Sequence, residues 1–190
     1  MKEVTVDGLT PPGPHIQVSI GFSIPFFESS RRRHLNLLNK LLQSQICQTL
    51  SNVQIQIWEE TITEILIADI DASTTQLISA TITCITDDTI SFDAILEKVC
   101  ISELDAAPLA QALVTEVETS LESSINDGTF LESLQDNAVE IAASCIVDCE
   151  TINEEVEKIN NITDFGTPTV ETQAFVFVST VSEISIPFLY

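Results

Sequence analysis

The sequence predicts an α+β sandwich, an antiparallel sheet carrying helices on one face. Three observations predict it: a strictly alternating apolar run at residues 16–24, a stretch at 102–124 whose apolar residues recur every four, and shorter turn-punctuated alternating runs between them. Charge sets the surroundings of that fold. Residues 41–190 hold 26 Asp and Glu against Lys98 and Lys158, whereas residues 1–40 hold five of the seven Lys and Arg. A chain this acidic reads as disordered unless apolar residues are plentiful. Here 44% of residues are apolar and fall in periodic runs, so the charge describes the shell of a packed core.

Residues 1–14, with three Pro and two Gly, read as an extended lead-in. Ile16, Val18, Ile20, Phe22 and Ile24 then alternate with Gln17, Ser19, Gly21 and Ser23, the period of a strand with one buried face. Pro25 cannot donate to a ladder and is expected to end this strand or place it at an edge. From Ser29 the spacing of Leu35, Leu38, Leu41, Leu42 and Ile46 predicts a helix of about five turns capped by Ser29 or Ser30. Arg31, Arg32 and Arg33 fall in its first turn, where the dipole disfavours cations, which makes them candidate interaction residues.

Residues 53–70 read as a strand, with Val53, Ile55 and Ile57 on one face and a bend at EETITE. Residues 75–86 alternate again, with Ile78, Ala80, Ile82 and Cys84 facing one way, and Asp71-Ala72-Ser73-Thr74 is short enough to join the two runs as a hairpin. Asp87-Asp88 signals a second turn, and Ile90 and Phe92 begin another strand before an amphipathic piece through Val99. The helix at 102–124 has Ser102 as cap, Asp105 in its first turn, and Leu109, Leu113, Val117, Leu121 and Ile125 at steps of four, until Asp127-Gly128 stops it. Thr129 opens a second helix with Phe130, Leu131 and Leu134, and 141–147 has the apolar content of a buried strand. The organisation predicted is a lead-in (1–14), a domain (15–150), an acidic linker or peripheral helix (151–169) and a C-terminal strand region (170–190).

The hairpin ISATITCITDD (78–88) and the run LAQALVTEVETSLESSINDGTFLESLQDNA (109–138) resemble SEA-type domains, and in particular the SEA-like proteins of diatoms and other microalgae. The resemblance implies a ferredoxin-like sandwich over roughly residues 15–150, acting as an extracellular structural or interaction module. Self-cleaving members carry a Gly-Ser step in a tight β-turn. This chain has no Gly-Ser dipeptide, so autoproteolysis is not expected.

Several chemistries are tested by residue type. A net charge of −22 opposes binding to nucleic acid, and no apolar run reaches the length of a membrane helix. With only His15 and His34, a histidine-based triad or a multi-imidazole zinc site is not expected. The cysteines are Cys47, Cys84, Cys100, Cys145 and Cys149. In a strand, Cys145 and Cys149 would stand about 13 Å apart, too far to bond each other. A hairpin at Asp87-Asp88 would set Cys84 opposite residue 91, so Cys100 is not its simple cross-strand partner; disulfides between elements among Cys84, Cys100, Cys145 and Cys149, for example Cys100 to Cys145 or Cys149, stay open beside buried free thiols.

Asp87, Asp88 and Asp127 are weak candidates for Ca²⁺, and no other cofactor is expected. Asn161-Ile162-Thr163 is a glycosylation sequon. Phe175, Phe177, Phe188 and Tyr190 form an apolar C-terminal strand region that belongs to its own sheet or adds to a neighbour. In that region Ala174, Val176 and Val178 are expected on one face, with the two phenylalanines on the other.

The expectation is a non-enzymatic structural or protein-interaction domain, extracellular or luminal, whose leader is missing from this chain. Its partner would be another protein or a second copy, with neither nucleic acid nor membrane insertion. The alternatives are an extrinsic subunit of an intracellular or organellar assembly docking through terminal strands and, at low prior, a carboxylate-based hydrolase.

Overall fold

Alternation in the first apolar run makes β1 (His15–Glu28) the central strand of the sheet. Ile16, Val18, Ile20, Phe22 and Ile24 are all buried on its core face. The computed structural model describes residues 14–28, 47–48, 50–68, 70–86, 88–146 and 149–178. The remaining described elements are α1 (Asn52–Ala68), β2 (Thr75–Ile85), β3 (Thr89–Val99), α2 (Glu103–Asp127), α3 (Thr129–Ala143), α4 (Cys149–Asn160), β4 (Ile162–Phe165) and β5 (Thr169–Val178). They form an α+β fold with a five-stranded antiparallel sheet of order β2-β3-β1-β4, in which β5 also pairs with β1.

Pro25 does not end β1. It is the last residue paired with β3, and beyond it Phe26–Glu28 continue against β4. The missing Pro N–H therefore falls where β1 changes neighbours, and the Pro25 carbonyl accepts from Gly166 N at 2.8 Å.

The run read as a strand at 53–70 is instead helix α1. Its buried residues, Ile57, Trp58, Thr61, Ile62, Ile65 and Leu66, recur at helical spacing. Its start is a capping box: Ser51 Oγ accepts from Gln54 N at 3.2 Å, and Gln54 Oε1 accepts from Ser51 N at 3.3 Å. The Asp71–Thr74 turn consequently joins a helix to a strand. The helix expected from Ser29, with its capping serines, lies almost wholly outside the described residues.

The β2–β3 hairpin has the expected register, with Cys84 opposite Ser91. Ile78 does not face the core with Ala80 and Ile82, because a bulge between Leu77 and Ser79 leaves it 45% exposed. β3 continues as one strand through Val99, where an amphipathic piece was expected. Helix α2 stops at Gly128, whose φ of 86° suits a residue without a Cβ. The Asp127 carboxylate accepts at 2.9 Å from Thr129 N, the first backbone amide of α3, whose N-cap position is Gly128.

The strand expected at 141–147 does not form over its described residues, 141–146: α3 runs to Ala143 and turns at Ser144. The acidic stretch after it holds α4 and β4, whose Val156, Ile159, Ile162 and Phe165 enter the same core as the first strand. Phe130 and Trp58 both meet Phe165 edge-on, at ring-centroid distances of 4.9 and 6.1 Å. Asn137 on α3 donates to both Thr61 Oγ1 and Glu64 Oε2 of α1 at 3.1 Å, a buried polar clasp between two helices.

Candidate functional site

A sheet that does not close leaves two edges, each offering backbone groups to another strand. At one edge, β2 is interrupted by bulges after Leu77 and after Ile82. The Glu59 carboxylate of α1 accepts from Ile82 N at 3.2 Å. Gln48 N donates to Ile85 O at 2.7 Å, and the Cys47–Cys84 disulfide fastens that segment to the strand. Two of the backbone groups that a partner strand would need, Ile82 N and Ile85 O, are thus already engaged.

At the other edge, β5 has one neighbour among the described residues, β1. Residues 171–176 are exposed, with Phe175 at 45% and Val176 at 60%. The strand carries one charge, Glu171, and no Lys or Pro, the residues that ordinarily blunt an edge. Pairing with β1 sets Phe175 opposite Val18 and Phe177 opposite Ile16 on the core face, with Val176 opposite Gln17 on the other face, as the alternation predicts.

Between β5 and α2 lies a cleft of about 190 Å³ lined by Val18, Ala107, Ala110, Val114, Gln173 and Phe175. Small side chains on α2 leave Phe175 accessible from the edge. Edge and cleft together can accept an extended segment, its backbone pairing with β5 and an apolar side chain entering beside Phe175.

β5 itself is held close to β1 at Gly21, where an added Cβ would lie 2.5 Å from Thr172 Oγ1 and 3.1 Å from Asp93 Oδ1. A second depression, about 810 Å³, is a shallow surface along α2 lined by Pro108, Ala112, Thr115, Thr119 and Ser123.

The other candidate residues are dispersed. Arg31, Arg32, Arg33, Phe188, Tyr190 and Asp87 lie outside the described residues. Asp88 Oδ1 accepts from the hydroxyls of Thr86 and Thr89 at 3.4 and 3.2 Å, whereas Asp127 sits at the α2–α3 joint. Among the described residues, no three His, Cys, Asp or Glu gather as metal ligands. Asn161 is exposed in the turn before β4, and the sequon's Thr163 hydroxyl donates to Phe27 O at 3.2 Å. Both basic residues of the acidic region are ion-paired, Lys98 with Glu116 at 3.2 Å and Lys158 with Glu155 at 2.9 Å.

The cysteine expectations are corrected. Cys145 and Cys149 are bonded, with Cα atoms 5.6 Å apart, because the chain turns from α3 into α4 there where a strand was expected. Cys84 pairs with Cys47. Cys100 is the free thiol, 3% exposed, and bonds neither Cys145 nor Cys149. Burial, then the Asp105 carboxylate, pushes its thiol pKa up. Two disulfides fit an oxidising compartment, and among the described residues no helix is long and apolar enough to cross a membrane.

No protein-family model, curated protein or solved structure matches the chain.

Proposed function

We propose that this chain is a non-enzymatic interaction module of ferredoxin-like, SEA-type architecture, working in an extracellular or luminal compartment. It docks an extended, basic segment of a partner protein along β5. The contrast between a blunted β2 edge and a β5 edge left bare among the described residues carries this reading. Strand order β2-β3-β1-β4 with α1 between β1 and β2 supports the ferredoxin-like arrangement, and the two disulfides support the compartment.

Charge selects the occupant. Two copies at −22 each repel, whereas an apolar segment flanked by Lys or Arg is drawn to the acidic shell and steered onto the edge. The probe that tests this is a fluorescein-labelled decapeptide alternating Val and Lys, followed by anisotropy at rising salt. Saturable binding that weakens with salt is expected, as is its loss when alternate peptide amides are N-methylated, because methylation removes the backbone donors that strand pairing needs. Binding indifferent to N-methylation would reduce the interaction to charge alone and overturn the edge assignment. A dimer by sedimentation at physiological salt would place a second copy there instead.

A further inference from the structure

Asn161-Ile162-Thr163 is the chain's one Asn-x-Ser/Thr triplet, and the fold presents it at the surface. α4 ends at Asn160, the Asn161 amide donates to Glu157 O and Lys158 O at 3.1 and 3.3 Å, and β4 begins at Ile162. Ile162 enters the core at 4% exposure, whereas Asn161 and Thr163 on either side of it are exposed. A sugar chain on Asn161 therefore leaves the packing of this joint untouched.

The surroundings of the triplet give such a chain something to cover. Phe27 is 53% exposed near the end of β1, its carbonyl accepts from the Thr163 hydroxyl at 3.2 Å, and its neighbour Glu28 pairs with Ile162. β4 is itself an edge, with β1 as its one strand neighbour among the described residues. It meets β1 at Phe26–Glu28, beyond the residues 15–23 that pair with β5. A bulky hydrophilic group at the start of β4 would deny that end of the edge to a partner strand and leave β5 open to one.

We propose that Asn161 is an N-glycosylation site whose glycan covers Phe27 and guards the β4 end of the sheet, an inference that rests on the extracellular or luminal compartment proposed above. The donor is an oligosaccharide joined through pyrophosphate to a lipid, supplied with its transferase by that compartment. Asn161 Nδ2 attacks the anomeric carbon of the first sugar. The bond from that carbon to the pyrophosphate oxygen breaks, its electron pair leaves with the lipid pyrophosphate, and the nitrogen gives one proton to a base of the transferase.

The test isolates the full chain from its natural source, compares its mass before and after peptide N-glycosidase, maps the peptide containing Asn161 and counts free thiols. A mass excess that the enzyme removes is expected, with Asn161 converted to the acid in the mapped peptide and one thiol, Cys100, free. In a eukaryotic secretory host, Asn161→Gln and Thr163→Ala should each lose the excess, and Thr163→Ser should keep it. Enzymatic removal of the glycan from the folded protein should raise binding of an apolar fluorescent dye, and Phe27→Ser should abolish that rise. A rise that persists in Phe27→Ser would overturn the covering of Phe27. An unmodified Asn161 in protein whose two disulfides are formed would overturn the site and leave the compartment standing, whereas an unmodified Asn161 with all five thiols free would overturn both.

Discussion

The two edges of one sheet have opposite designs. At β2, bulges, the Glu59 carboxylate, a backbone bond from Gln48 and a disulfide all act on a single strand. At β5, neither charge nor bulging interrupts the run from Gln173 to Val178, and its register shift lies earlier, opposite Gly21 and Phe22. Chains under selection for solubility usually blunt both edges. One edge guarded and the other left apolar among the described residues is the contrast on which the proposed docking of a partner strand rests.

Removing the β2 fastening should have the largest effect. Cys47→Ser with Cys84→Ser opens a loop between residues 37 apart, for which chain entropy gives a loss of about 4 kcal/mol. Cys145→Ser with Cys149→Ser, four residues apart, should cost about 2 kcal/mol. Urea unfolding of both pairs under non-reducing conditions checks the order; equal losses would mean that the β2 edge is held by its hydrogen bonds and not by the crosslink.

Gly21 tests how β5 is held. A Cβ there meets Thr172 Oγ1 at 2.5 Å, and Thr172 is β-branched and seated in a strand, so it yields poorly. Gly21→Ala should cost about 1–3 kcal/mol as overpacking. Amide exchange should quicken along β5 before β3, since both close contacts approach from those strands but only β5 is an edge. Uniform loss of protection would show that β5 is not a separable element.

Glu59→Ala attacks the guarded side more gently. It leaves Ile82 N without its carboxylate acceptor, a change worth about 1 kcal/mol where water can partly replace the bond. Faster exchange of the Ile82 amide with little change in global stability is the expected result.

Acid acts on two turns, one at the entry to β2 and one at the α2–α3 joint. Asp71, at the entry to β2, is held below its ordinary value of 3.8 by the Ser73 hydroxyl and amide. Asp127 is held below 3.8 by the Thr129 hydroxyl and amide. Because both folded-state values are depressed, their stabilisation is full above about pH 4 and lost as pH falls through the lower folded values. Asp71→Asn and Asp127→Asn should each flatten stability against pH only below that point, as read from urea midpoints at stepped pH.

Much of this fold is legible in residue spacing and some is not. β1 and α2 are legible because a single period runs unbroken through each, and the register placing Cys84 against Ser91 follows from two turn residues. Residues 52–68 mislead because Ile55 and Ile57 stand two apart among β-branched neighbours, whose strand preference burial against α3 overrides. The signal that reveals the helix is the Ser51-x-x-Gln54 capping box followed by Trp58, Ile62 and Ile65. Apolar content at 141–147 suggests an extended run, in which Cys145 and Cys149 stand too far apart to bond; the turn out of α3 at Ser144 brings them together. The β5 strand itself can be read from its alternation, but its openness cannot, because an edge is a property of neighbours and not of spacing.

The smallest stability change carries the sharpest test of that openness. Val176 is 60% exposed and faces away from the core side of β5, so Val176→Lys should shift unfolding by no more than about 0.5 kcal/mol. An edge lysine is a natural device against strand addition, and here it would also oppose a basic segment. Peptide binding should therefore fall sharply while the urea midpoint stays in place. Val139→Lys, at an equally exposed apolar site on α3, is the control: 57% exposed and away from either edge, it should change neither quantity. If both lysines weaken binding alike, the bulk reduction in negative charge is responsible, and the distinction between the two edges loses its functional meaning.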